Sequence, residues 1–417
     1  DSVGGTGEGG FVEVESGQSL AIENSEIFAD TYGAGDGGYV LVRSAGNLSL
    51  TGGYVSSESL AQAGGPDGDG GSVTVEADGN LAISGARVSS DTFGAGEGGV
   101  VLLNAGGTID LSDGAEVFAN TNGAGEGGLV AITASELSVN DARVATRANA
   151  QGDAFAVTVQ AARIRVGSGG VVSSASTGAG DAGFVFLGGN LVEDTPSEAI
   201  TVSHGGEVTV SATGTGAAGS IRLNGETISL LSGGEVAATS ANALPAGFIN
   251  IAARDVIVDG QGSRILSANS LATPAPGGTN LGGDILLIAK NLTVSNGGVL
   301  NTSSESADAG TIEINLGREG GGILYLGGDQ APGRIRTDSV VQGSGGRIGI
   351  FGAYAIIADG SEISASGDVS NAFVFIDDAT VRINSSDARN IVNVSGYVAV
   401  SPEQDVSSGT TMPEVPF

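Results

Sequence analysis

A short motif recurs along this chain at a nearly constant interval. GAGDGGYVLV begins at position 33, GAGEGGVVLL at 94, GAGEGGLVAI at 123 and GAGDAGFVFL at 178. Aligned on the glycine cluster, units start near Gly5, Gly33, Gly64, Gly94, Gly123, Gln151, Gly178, Gly214, Pro245, Gly277, Ala307, Gln342 and Ser370, mostly 27 to 32 residues apart. A fixed period of this length marks a stacked repeat architecture. One unit cannot bury its own apolar face, so its neighbours bury it.

Each unit carries three strand-like pieces. The first follows the glycines and alternates aliphatic with polar or exposed positions: Val12/Val14, Val40/Val42, Val73/Val75, Val101/Leu103, Val130/Ile132, and so on to Val374/Ile376. A second pair follows a few residues later, as in Leu48/Leu50, Leu81/Ile83, Ile109/Leu111 and Leu137/Val139. A third piece holds one aliphatic after a small-residue turn, as at Val55, Val88, Val117, Val144 and Val236. Period two with β-branched residues on one face means half-buried strands. Three strands and three turns close a triangular rung, and rungs stacked about 4.8 Å apart pair each strand with its counterparts in parallel.

The expected fold is therefore all-β, a parallel β-solenoid (β-helix) of about 13 triangular three-strand coils of 27–32 residues, forming a rod about 60 Å long. A helical fold is excluded because no segment repeats at 3.6 and glycine disfavours helix interiors. A sandwich of antiparallel hairpins would not keep one period. The solenoid is expected over residues 1–400, with loop insertions near 192–199, 270–283 and 327–334, and an irregular tail at 401–417.

Composition narrows the function classes. With 47 acidic against 16 basic side chains, a net charge of -31 repels nucleic acid and anionic membranes. Hydrophobic residues make up 40%, too many for a disordered acidic tail. No apolar run of about 18 residues is present to insert into a bilayer. The chain starts at Asp1 without Met, and is read as a processed or partial chain whose targeting segment lies outside it. The absence of cysteine fits an exported bacterial protein stabilised by something other than disulfides.

GAGEGGLVAITASELSVNDARVATRA (123–148) and GAGDGGYVLVRSAGNLSLTGGYVSSES (33–59) resemble the repeats of filamentous-haemagglutinin-like exoproteins of two-partner secretion, above all the cyanobacterial group. SSDTFGAGEGG (89–99) is the nearest single stretch, and VSPEQDVSSGTTMPEVPF is similar to the segment after the last coil in that group, with Met412 in place of leucine before Pro413. The resemblance implies an exported adhesin or surface filament, an N-terminal secretion domain and an outer-membrane transporter as partner during export. It implies no catalytic residue.

The candidate site lies in the glycine turns. Glycine there is expected to supply positive φ. Glu8, Asp36, Asp69, Glu97, Glu126 and Asp181, with Asp153 in the sixth coil, share one turn position, so stacking sets them in a column. Unit charges about 5 Å apart repel by roughly 0.8 kcal/mol in water and about 3 kcal/mol at an effective dielectric of 20. Either the side chains splay into solvent or cations sit between rungs, and calcium suits carboxylate and carbonyl oxygens. PDGDGG (66–71) offers two carboxylates, Asp67 and Asp69, and is the best single calcium candidate.

Other features read as structural. His204 has no histidine partner, which argues against a metal or triad role. Asp377 and Asp378 are adjacent and would face opposite sides of a strand, a poor catalytic pair. Phe11, Tyr39, Phe184 and Phe248 occupy one coil position and are expected to flank the turns, as a ring ladder or a sugar-binding stripe. The expectation is a non-enzymatic extracellular structural or adhesive protein, an adhesin, surface layer or matrix filament subunit. Its partners would be further copies joined head to tail at the N-terminal edge, cell-surface or glycan ligands, or a preceding domain. The alternative is a β-helix carbohydrate-active enzyme of the pectate-lyase or polygalacturonase type, which needs clustered acids with an Arg or Lys base in a walled groove.

Overall fold

The computed structural model describes residues 2–3, 7–60, 68–271, 282–317, 322–329, 331–341, 343–359, 361–367, 372–376, 380–383, 391–394 and 397–400. The described residues form an all-β parallel β-solenoid of about 12 turns. Strand pairs with its counterpart one coil on, always in parallel and with almost no slippage. The first side shows this most plainly. Val12, Val40, Val73, Val101, Val130, Val157, Val185, Ile221, Ile249, Ile285, Ile312, Ile348 and Val374 stand in one register column.

The inward pairs expected from the sequence are the core. Val40, Val101, Val130, Ile132, Ile249 and Ile285 are all essentially inaccessible to solvent, as are Leu103, Leu137 and Val144 on the other positions and sides. One departure is the corner between the first and second sides. In four coils the two sides run as a single 12-residue strand, Leu129–Asn140, Ala156–Gly167, Ser220–Leu231 and Phe248–Asp259. Small residues at the bend, such as Ala134 and Gly225, let the ladder turn the corner with its main chain still paired.

The glycine clusters behave differently from expectation. None of Gly35, Gly37, Gly38, Gly70, Gly71, Gly98, Gly99, Gly127 or Gly128 has positive φ. Glycine is needed there because neighbouring coils leave no room for a side chain. A Cβ at Gly99 would fall on Ser90 Oγ and on the carbonyl oxygen of Gly71, and one at Gly71 on Ser57 Oγ and Gly38 O. Positive φ is concentrated in the other turn, before the third strand, where pairs such as Asp113–Gly114 (55° and 80°) and His204–Gly205 (52° and 75°) are both left-handed; Gly343 (134°) is the exception in a glycine turn. Asn, Asp and Gly suit that position, and His204 occupies it as a turn residue.

One corner of the triangle is polar inside. Serine and threonine after the third strand point inward and tie down the carbonyls of the glycine turn crossing over them. Ser57 Oγ donates to Gly38 O at 2.6 Å, Ser90 Oγ to Gly71 O at 2.7 Å, Thr92 Oγ1 to Gly68 O at 3.0 Å and Ser267 Oγ to Gly247 O at 2.6 Å. The carbonyls of Gly38, Gly71 and Gly247 also accept a main-chain N–H from the next coil, of Ser72, Val100 and Asp284, so the hydroxyl adds a second bond from within.

Of the expected insertions, that near 192–199 leaves the rod as a small loop closed by an antiparallel bridge between Asn190 and Thr195. Arg222 and Asn224, one coil on, hold its Asp194. The second side resumes at Ser197–Ser203 and restores the inward pair Ile200/Val202. Residues 272–281 of the second insertion, 330 of the third, the Asp377–Asp378 pair and the tail at 401–417 lie outside the described residues. Among the described residues, Phe11–Ser16 and Leu20–Phe28 pair on one edge only, and Val12, Leu20, Ile22 and Ile27 are half-buried.

Candidate functional site

The turn acids do stand in a column. The main-chain N–H of Gly9 donates to Asp36 O, Gly37 to Asp69, Gly70 to Glu97, Gly98 to Glu126, Gly127 to Asp153 and Ala154 to Asp181, each at 2.6–2.8 Å. Glu8 sits at the head of this column, and the side chains of Glu8, Asp36, Asp69, Glu97, Glu126, Asp153 and Asp181 are exposed. Asp67 lies outside the described residues.

The aspartates do something the column alone does not reveal. Asp36 Oδ1 accepts the main-chain N–H of Asp69 at 2.9 Å, Asp69 Oδ1 that of Glu97 at 2.8 Å, Asp153 Oδ1 that of Asp181 at 2.7 Å and Asp181 Oδ1 that of Ala217 at 2.6 Å. Farther along, Asp308 Oδ1 takes the N–H of Ser344 at 2.7 Å. Each aspartate therefore caps the next coil's turn with one oxygen, and its other oxygen takes no hydrogen bond among the described residues. Calcium takes six to eight oxygens, so a site here would have to draw its remaining ligands from carbonyls and water. Among the described residues, no group of three or more His, Cys, Asp or Glu side chains is gathered about one point.

A second acidic column is buried. Asp30, Glu58 and Asp91 directly precede the inward hydroxyls Thr31, Ser59 and Thr92, which bridge from coil to coil. Asp30 and Asp91 are only 4% and 2% exposed. Asp30 Oδ1 accepts the N–H of Glu58 at 2.8 Å and the hydroxyl of Ser56 at 3.0 Å; Asp91 Oδ1 accepts the N–H of Asn120 at 2.7 Å. Glu58 Oε1 accepts from Ser89 Oγ at 2.5 Å. Arg87 serves two of the acids, its Nη2 lying 2.6 Å from Asp91 Oδ2 and 3.5 Å from Glu58 Oε1, while its guanidinium rests over the Phe118 ring at 5.5 Å. Burial pushes the carboxyls of Asp30, Glu58 and Asp91 above the usual carboxylate range, against the hydrogen bonds and, for Glu58 and Asp91, the Arg87 charge. The sequence signal was an acid or its amide before an inward hydroxyl in four successive coils: Asp30–Thr31, Glu58–Ser59, Asp91–Thr92 and Asn120–Thr121.

Arginines elsewhere are spread along the ladders and pair across coils. Arg264 meets Glu235 at 2.7 Å and Arg334 meets Glu362 at 3.0 Å, each with its register partner. The aromatic position splits in two. Phe11 and Tyr39 stack at 5.2 Å and 4°, but Ser220 stands between Phe184 and Phe248 in the same column. Phe155, Phe184 and Phe248 border an open groove of about 840 Å³ whose floor is the small-residue track of the turns, running past Asp284 to Thr311.

A scan against protein-family models and a search of curated proteins found no match.

Proposed function

We propose that the chain is the rigid stalk of an exported bacterial protein whose role outside the cell is structural or adhesive. The observation carrying this reading is the continuity of the parallel ladder. Each first-side strand from Phe11–Ser16 to Tyr397–Val400 pairs with the next, so a force along the axis is borne by the main-chain hydrogen bonds of the three sides together. The outer surface is made of short turns and exposed carboxylates, which keep parallel rods apart by repulsion. Further copies, glycans or neighbouring domains are the partners this reading expects, and an outer-membrane transporter the route of export.

Two measurements test it. Antibodies raised to the purified chain should label intact, unpermeabilised source cells; labelling that requires lysis would refute the extracellular role. On a panel of acidic and neutral polysaccharides, the chain should release no new reducing ends. Release that is abolished by substituting a single exposed carboxylate, in a chain that still melts like the parent, would establish the carbohydrate-active alternative in its place.

A further inference from the structure

The polar corner divides into coils where its hydroxyls are used and coils where they are not. Ser57, Ser90 and Ser267 each reach a glycine carbonyl of the turn above them. Thr146 instead donates to Ser174 Oγ, its neighbour one coil on, at 3.0 Å. In the coils that follow Ser267 in the same column stand Thr302 and Thr337. Both are fully buried, and neither Thr302 Oγ1 nor Thr337 Oγ1 has a hydrogen-bond partner among the described residues. Ser339 Oγ, two residues beyond Thr337, is in the same position.

Gly310 N–H donates to Thr302 O at 2.9 Å and Gly346 N–H to Thr337 O at 2.7 Å, so the turn is seated on the corner as in other coils. A buried hydroxyl with no partner loses its hydration and gains nothing in return, and such groups are normally satisfied by an ordered water where no protein atom serves.

We infer that coils bearing Thr302 and Thr337 bind an internal water that bridges the two hydroxyls, with Ser339 drawing on the same hydration. The register partners Asn301 and Arg336 place Thr302 beside Thr337 one coil apart, about 4.8 Å. That is the strand spacing, across which Thr146 and Ser174 still bond directly at 3.0 Å, but the hydroxyls of Thr302 and Thr337 make no such bond. A water about 2.8 Å from each satisfies both. A buried water makes two to four hydrogen bonds, and the pair of hydroxyls supplies the first two. The inference rests on the fold alone and is independent of the export reading.

A crystal structure of the unsubstituted chain at a resolution that shows waters decides the matter. Density within hydrogen-bond distance of both Thr302 Oγ1 and Thr337 Oγ1 is expected; a dry contact there overturns the inference. In solution, oxygen-17 relaxation dispersion should count at least one fewer long-lived water in Thr302→Val/Thr337→Val than in the parent, and no fewer in Thr302→Ser/Thr337→Ser. An unchanged count in the folded valine variant overturns it equally. Should the valine variant fail to fold, the crystal structure of the parent still gives the answer.

Discussion

Gly99 illustrates why single residues here are constrained by the neighbouring coil rather than by their own backbone. Its φ is ordinary, but a methyl group would strike Ser90 Oγ and Gly71 O. Gly99→Ala is expected to cost about 1–3 kcal/mol, as overpacking does. Gly17→Ala, at a position with nothing within 4 Å, should stay within about 0.5 kcal/mol. Paired denaturant melts compare them, and equal losses would mean that the close approach is relieved by a coil shift. Nothing in the sequence separates these two uses of glycine, because both write the same letter; only stacking distinguishes a residue that must turn left-handed from one that must leave space. The buried acids were hidden for a similar reason. Asp30, Glu58 and Asp91 look like turn acids until the coils stack over them. Their folded carboxyls hold protons more tightly than the unfolded chain does, so their contribution to stability is complete below the ordinary carboxylate range near pH 4 and is lost as pH rises through the raised folded values. Asp30→Asn keeps an oxygen for the Glu58 N–H and removes a buried charge that lacks an arginine of its own. It should melt higher than the parent at pH 7 and equal to it at pH 4, whereas a lower midpoint at pH 7 would show that the ionised form is the favoured one.

The glycine turn, as an element, is held by two devices at once: hydroxyls from inside the corner and aspartates from outside. Alignment of the repeats was enough to place Asp36, Asp69, Asp153 and Asp181 in a column. It could not show that each oxygen aims along the column at a main-chain N–H, because that depends on a side chain being one methylene shorter than glutamate. Asp69→Asn retains the acceptor for the Glu97 N–H, whereas Asp69→Ala frees it to solvent. The alanine variant should lose about 0.5–1.5 kcal/mol and the asparagine variant little. Calcium gives a separate test of the same element. If capping is the role of the column, chelator leaves the thermal midpoint where it was. A fall on chelation that calcium restores would make the free oxygens ligands instead, since only a ligand bound to the folded state shifts the midpoint in this way.

At the scale of the molecule, stability is a sum over coils and their contacts, so the fold should tolerate the loss of a whole unit far better than the loss of half of one. The coil from Gly123 to Ala150 is a suitable test. Its strands Leu129–Asn140 and Arg143–Ala148 lie between Val100–Ala105, Thr108–Ser112 and Glu116–Phe118 on one side and Ala156–Gly167 and Val171–Ser176 on the other. Joining Asn122 to Gln151 sets Val101 over Val157, Leu103 over Val159 and Val117 over Val172, all aliphatic positions buried in the parent. The shortened chain should keep its β spectrum and a cooperative melt, and its long axis by small-angle scattering should fall by about 4.8 Å. Deleting only 123–136 places the second half of one coil on the first half of another, turning the inward aliphatics of Leu137 and Val139 out of the column, and should abolish the cooperative melt. If both deletions unfold alike, the coils are not interchangeable units, and the quasi-one-dimensional rod on which the stalk reading depends is wrong. If both fold alike, the register between inward columns matters less than the ladder itself, and the same reading loses its physical basis from the other direction.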